Sequence, residues 1–177
     1  MEVFTSKYVL IDNEIKQGIY ITVEDGLIVD ISQVKPEGKI KDFGDSMIVP
    51  GTINTHTHSM QSLMRGFGDD FSLFAWLKDT VYKYCDLMDE RHAYWAALLT
   101  FAEMVKYGTT TVLDFYYLNG PDNKYARAVI KAAQDLGIRL VLARTMMDWD
   151  NSALITQETP EVASKRFKCT IIPIHHS

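Results

Sequence analysis

The sequence predicts an α/β fold in which a short all-β block leads into alternating strands and helices. Two observations carry this prediction. Residues 1 to about 48 consist of β-prone runs separated by turn residues. Beyond them, apolar β-branched runs alternate three times with stretches of helical spacing. Such alternation implies parallel strands joined by helical crossovers.

In the β block, Ile19, Ile21 and Val23 alternate with Tyr20 and Thr22. Asp25-Gly26 then turns the chain into Leu27-Ile28-Val29-Asp30-Ile31, a hairpin signal, and residues 35–39 form a loop. Residues 48–54 read as a short buried strand broken by Pro50-Gly51, and helical signals cover 72–84. Asp89 is placed to cap a helix whose apolar face is Trp95, Leu98, Leu99, Ala102 and Val105, with Lys106 and Gly108 as stop signals. Residues 109–115 form the next strand. Asp122 is placed to cap a helix bearing Ala126, Val129, Ile130 and Ala133, which ends at Gly137. Residues 138–143 form a further strand, and Thr159-Pro160 opens a short helix. A fourth strand starts at Cys169-Thr170-Ile171-Ile172. The chain contains no internal repeat and no low-complexity segment.

Composition narrows the function. Of 177 residues, 47% are hydrophobic and 23% charged, enough for a core and unlike a disordered chain. A formal charge of −5 argues against a nucleic-acid or anionic-membrane surface. No apolar run approaches a membrane span, and the N-terminus lacks the pattern of a secretion signal. Two cysteines, Cys85 and Cys169, make no disulfide framework, which fits a reducing, cytoplasmic compartment.

The chemistry concentrates at His56 and His58. They stand at i and i+2 where an apolar strand ends, so both imidazoles can point to one face beyond its C-terminal end. Ligands bind at that end in parallel α/β folds. Two neutral imidazoles a few ångströms apart suit a borderline-soft divalent cation such as zinc. The competing reading is a pair of loop histidines with ordinary hydrogen bonds. His92 reads as solvated, and His175 and His176 as terminal residues with no assigned role.

Four other side chains have two readings each. The Gln61 amide can hold a heterocycle edge or order its loop. Arg144 follows a strand, so it can reach the active face or form a structural salt bridge. Asp114 can orient a ligand histidine or order a loop or helix end. Trp76 can wall a substrate pocket or pack the core beside Phe74 and Leu77. Cys85 reads as a core residue, since no base lies near it in sequence, and Asp69-Asp70 as a solvated pair.

The string Ile48-Val49-Pro50-Gly51-Thr52-Ile53-Asn54-Thr55-His56-Thr57-His58 resembles the first barrel strand of the amidohydrolase superfamily. The continuation Ser59 to Gly66, with Asp69-Asp70 and Ala75-Trp76-Leu77, resembles its deaminase and chlorohydrolase branch. That branch includes methylthioadenosine/S-adenosylhomocysteine deaminases, guanine deaminases and aminotriazine hydrolases. Gly108-Thr109-Thr110-Thr111, Leu136-Gly137-Ile138-Arg139 and the hairpin at Glu24 to Ile28 extend the likeness over about residues 8 to 167.

The resemblance implies a metal-dependent hydrolase TIM barrel of which this chain carries the first three to four β/α units, residues 48–177. A small β-sandwich portion, residues 1–47, precedes it. His56 and His58 match the family's first two metal ligands, with zinc as the expected metal and iron as the alternative. The later ligands and the proton-shuttling glutamate have no counterpart, so no catalytic residue is assigned within the chain. A whole barrel needs roughly 250 residues, and about 130 follow residue 47. The sequence beyond Phe167 stops resembling the branch, which reads as a truncation. An open barrel edge implies aggregation or self-association.

The implied activity is hydrolytic deamination or dechlorination of a small nitrogen-rich heterocycle by a metal-activated water. Gln61 matches the His-x-His-x-x-Gln form of guanine- and triazine-type members. Nucleoside-type members carry a glutamate in the region where this chain has Cys85. Nucleoside deamination, or a non-catalytic fragment, are the alternatives.

Overall fold

The structure, a computed structural model, describes residues 1–150 and 152–168. The expected strand at Cys169 and the residues His175 and His176 lie outside the described residues. The described chain falls into two compact units, Met1–Pro50 and Gly51–Ser177.

The first unit is all β. Strands β1 (Glu2–Thr5), β4 (Tyr20–Glu24), β5 (Leu27–Ser32) and β6 (Ile40–Asp42) form a sheet of order β5-β4-β1-β6. Strands β2 (Tyr8–Ile11), β3 (Glu14–Lys16) and β7 (Met47–Ile48) form a second sheet of order β3-β2-β7. The predicted hairpin joins β4 to β5, with Glu24 opposite Leu27. Asp25 and Gly26 both adopt positive φ, 48° and 77°, as a two-residue turn of matching twist requires. Val3, Val9 and Ile19 are buried.

The second unit carries a parallel sheet of order β10-β9-β8, formed by β8 (Thr52–Thr57), β9 (Thr109–Tyr116) and β10 (Arg139–Arg144). Helical segments α1 (Leu73–Trp76) and α2 (Tyr82–Cys85) flank a wide π-type turn at Leu77–Val81. Helix α3 (Glu90–Lys106) connects onward to β9, α4 (Lys124–Leu136) links β9 to β10, and α5 (Pro160–Lys168) follows β10. Asp89 caps α3 as expected, accepting the backbone N–H groups of Arg91 and His92 at 2.9 and 3.0 Å. Helix α4 closes at Gly137, with the Ile138 N–H returning to the Ala133 carbonyl. Thr159 Oγ1 accepts the Val162 N–H at the start of α5.

The core lies on one side of this sheet. Val112 and Tyr116 of β9 pack with Ala93, Ala97 and Phe101 of α3 and with Ala126, Val129 and Ala133 of α4. The alternate strand positions face away from these helices: Ile53 is 66% exposed, Val141 53% and Phe115 37%.

Four expectations need correction. Residues 48–54 are not one buried strand. Pro50-Gly51 separates β7 from β8, which pair in different sheets, and β8 is exposed because it is an edge with an uncovered face. The fully buried face of α3 is Ala93, Ala97 and Phe101; of the expected residues Leu98 packs against the core, whereas Trp95, Leu99 and Val105 are exposed. Alanines let α3 approach its neighbours closely, and this outweighs the larger apolar stripe. Phe74 is exposed, since the short α1 turns it outward, although Trp76 and Leu77 do pack against the core. The N-cap of α4 is Asn123 rather than Asp122, and both residues adopt left-handed backbone angles.

Candidate metal centre

The histidine pair is aimed by a bulge. Asn54 of β8 pairs with Val112 and Thr57 with Asp114, so Thr55 and His56 together oppose Leu113 alone. The extra residue reverses the phase of side-chain alternation. Thr57 comes to the level of the buried Asp114, and His56 and His58 emerge on the open face beside Phe115. Their rings lie edge to face with centroids 4.8 Å apart. Phe115 flanks both, at 5.4 Å from His58 and 6.4 Å from His56.

His58 is held by its ring. Nδ1 lies 2.8 Å from the carbonyl oxygen of Phe115. A carbonyl only accepts, so Nδ1 carries a proton, and in the neutral ring the lone pair is then on Nε2. That is the form a metal-binding imidazole needs. Two imidazoles amount to half the donor set of a tetrahedral zinc site. Among the described residues, no group of three His, Cys, Asp or Glu side chains is placed to hold a metal.

The loop after His58 is a 3-10 turn, Ser59–Met64, fastened to β9 and α3. Asp114 accepts the Ser59 N–H at 3.0 Å and the Ser59 hydroxyl at 2.5 Å. Burial pushes the Asp114 carboxyl up to about 6, against the opposing effect of the two Ser59 bonds. Gln61 Nε2 donates to the Tyr117 hydroxyl at 2.9 Å, and the Tyr117 ring lies edge-on to His58 at 5.7 Å. Burial also raises the Tyr117 phenol above its ordinary value, so it stays neutral. On the α3 side, Ser62 donates to the Ala96 carbonyl and Thr100 to the Ser59 carbonyl. Arg65 forms a bidentate pair with Glu103 at 2.9 and 2.8 Å.

The other sequence-selected residues do not all gather at the histidine pair. Gln61 and Trp76 line a cleft of about 460 Å³ with Arg65, Asp69, Phe71 and Leu73. Trp76 Nε1 donates to the Phe67 carbonyl. Asp114 grips Ser59 and makes no direct bond to a histidine. Arg144 shares the level of Tyr116, on the helix-covered side of the sheet. Its guanidinium is sealed there, with Nη2 at 2.7 Å from both oxygens of Glu158 and Nε at 2.8 Å from Asn123 Oδ1. Cys85 is buried, and its thiol is pushed up to about 12. His92 sits exposed in the first turn of α3.

Sequence reasoning missed Ser59, Tyr117 and the Phe115 carbonyl. Tyr117 was discoverable, since it stands two residues beyond Phe115 near the C-terminal end of a strand. A backbone carbonyl leaves no trace in the sequence.

Comparison with known proteins places this arrangement. The amidohydrolase family model matches residues 47–170. A 5-methylthioadenosine/S-adenosylhomocysteine deaminase of Thermococcus sibiricus is 38% identical over 136 residues, which cover 76% of this chain and 30% of that protein. A 5'-deoxyadenosine deaminase of Methanobrevibacter smithii is 35% identical over 146 residues, 82% of this chain and 31% of its own length. The chain therefore spans about a third of these relatives. Among solved structures, atrazine chlorohydrolase TrzN from Arthrobacter aurescens, complexed with zinc, superposes with a TM-score of 0.86 at 21% identity over 99% of this chain and 43% of its own. Guanine deaminase from C. acetobutylicum, with bound guanine, gives 0.80 at 21% identity over 94% and 41%. No described helix is long and apolar enough to cross a membrane. With a strand-end histidine pair, a parallel sheet backed by helices and a family match over most of its length, the chain belongs to the amidohydrolase family.

Proposed function

We propose that the chain is the N-terminal part of a metal-dependent aminohydrolase acting on a ring carbon of a nitrogen-rich heterocycle. In this reading residues 48–177 hold the first β/α units of a TIM barrel, and residues 1–47 belong to a small β-sandwich. The open face bearing Ile53, Phe115 and Val141 is the barrel interior, and its edges are the route to self-association. The observation that carries the reading is the His56–His58 pair, with rings 4.8 Å apart at the C-terminal end of a parallel sheet.

His56 and His58 are the residues that hold the metal, zinc first and iron as the alternative. When bound, such an ion acidifies a water from a pKa of 15.7 to about 7 and so provides a nucleophile at neutral pH. Phe115 keeps the proton of His58 on Nδ1 and leaves Nε2 to bind. Gln61 offers a donor and an acceptor to the ring edge of the substrate, and Trp76 walls the adjoining cleft. The remaining ligands and the carboxylate that moves the proton to the leaving group have to come from other strands.

A free-base or triazine-like ring is the substrate class supported by the site. Cys85 is buried, and Asp86 is engaged in accepting the Ile155 N–H at 3.0 Å. Cys85 carries no carboxylate, and one of the two Asp86 oxygens is tied to the backbone. The nucleoside reading is favoured by one observation, the names of the relatives at 35% and 38% identity.

Zinc titration of the chain, read by elemental analysis after dialysis, tests the metal reading. Binding is expected to disappear in His56→Ala and His58→Ala. Ammonia release from guanine, melamine and S-adenosylhomocysteine, measured with the reading frame extended downstream, tests the substrate class. Zinc retained in both variants overturns the site, and release from S-adenosylhomocysteine alone overturns the free-base reading.

A further inference from the structure

We propose that Asp114 and Tyr117 are positioning residues for His58, through which β9 and the residue after it set that ring in its metal-ready form before any metal arrives. This rests on the metal reading above for its purpose, but its geometry stands by itself.

One stretch of β9 and the residue after it grips three of the four consecutive residues 58–61. The Asp114 carboxylate holds Ser59 by both its backbone N–H and its hydroxyl. The Phe115 carbonyl holds the His58 ring at Nδ1. The Tyr117 hydroxyl holds the Gln61 amide. The Phe115 contact is a single bond at 2.8 Å to a ring that is only partly buried. That bond sets the tautomer only for as long as something holds the imidazole in place. The two flanking grips do so by fixing the backbone on which that ring stands. Ser59, the next residue, is fully buried and held at two atoms, so His58 cannot swing on its C-terminal side. The Tyr117 ring, edge-on to His58, closes one lateral side.

Tyr117 has a second consequence. Because Gln61 Nε2 donates to its hydroxyl, Gln61 keeps its carbonyl oxygen and one N–H for a ligand. Tyr117 therefore couples the metal-binding residue and the ring-facing amide through a single side chain.

The test uses the metal-free 177-residue chain labelled with ¹⁵N-histidine. Long-range ¹H–¹⁵N spectra at pH 8 report which nitrogen of each neutral imidazole is protonated. His58 is expected in the Nδ1–H form, the reverse of the preference of free histidine. Tyr117→Phe keeps the ring and removes the grip on Gln61. Asp114→Leu removes both acceptors, and Ser59→Ala serves if Asp114→Leu does not fold. Each is expected to give a mixture of tautomers at His58 and to weaken Zn²⁺ binding about 10-fold. Val129→Ala, which lowers stability from within the core, is expected to change neither readout.

A wild-type His58 in the Nε2–H form overturns the proposal. So do folded Tyr117 and Ser59 variants whose tautomer and zinc affinity match wild type. An Nδ1–H His58 that binds no zinc upholds the positioning and sinks the metal reading instead.

Discussion

Removing the Glu158 carboxylate is expected to cost the protein about a fifth or more of its stability. Arg144 and Glu158 have side chains only 2% and 4% exposed. Both carboxylate oxygens lie 2.7 Å from Arg144 Nη2, and Arg166 Nη1 reaches one of them at 2.7 Å. Glu158→Ala leaves a guanidinium in a dry site with no counter-charge. Breaking a buried pair from one side costs about 3–5 kcal/mol, against roughly 5–15 kcal/mol for a whole domain. Urea denaturation followed by circular dichroism measures this. Arg144→Met with Glu158→Leu is expected to cost less than the two single changes together, by about 1–3 kcal/mol, because neither charge is then stranded. Zinc binding is expected to persist in Glu158→Ala wherever the variant is folded, since the pair lies on the sheet face opposite the histidines. A cost below about 1 kcal/mol would show that water reaches the pair. Loss of zinc from folded Glu158→Ala would place Arg144 in the functional site after all.

Asp114 makes metal-free stability fall as pH rises. Its carboxyl titrates near 6 in the folded chain and at 3.8 in the reference state. Between those values the folded state binds more protons, so stability declines by about 3 kcal/mol in total and is flat above pH 7. Asp114→Asn is expected to abolish that component of the pH profile in thermal melts, and an unchanged profile would refute the assignment. Gly51→Ala places a methyl carbon 2.2 Å from Thr110 Cγ2 and 2.8 Å from its Oγ1. A loss of about 1–3 kcal/mol follows, and Thr110→Ala in the same chain should restore most of it. Cys85, buried with its thiol raised to about 12, should react with iodoacetamide only on unfolding. Rapid alkylation at Cys85 itself in the folded chain, located by peptide mass, would contradict its place in the core.

The sequence located the chemistry along the chain more readily than it assigned sides. The hairpin at Asp25-Gly26, the strand–helix alternation and the caps at Asp89 and Gly137 were legible because each is a local preference spanning a few residues. The histidine pair was legible for the same reason, since i and i+2 share a face whatever the partner strand does. Which face they share was not legible, because it depends on a bulge opposite Leu113 that only the pairing with β9 defines. Arg144 failed on the same point. Along β10, Leu140 and Leu142 lie on one face and Val141 and Ala143 on the other, so both parities are apolar. Such a pattern is expected of parallel strands buried on both sides, and it gives no clue to where the charged residue at its end will point. Helix α3 repeats the problem with an alanine stripe and a larger apolar stripe, of which the smaller one packs. Side assignment in this chain is therefore a property of register. That is also why β9, the strand that sets register for β8 and β10 alike, supplies the Phe115 carbonyl that holds the His58 ring, with Tyr117 just beyond its end.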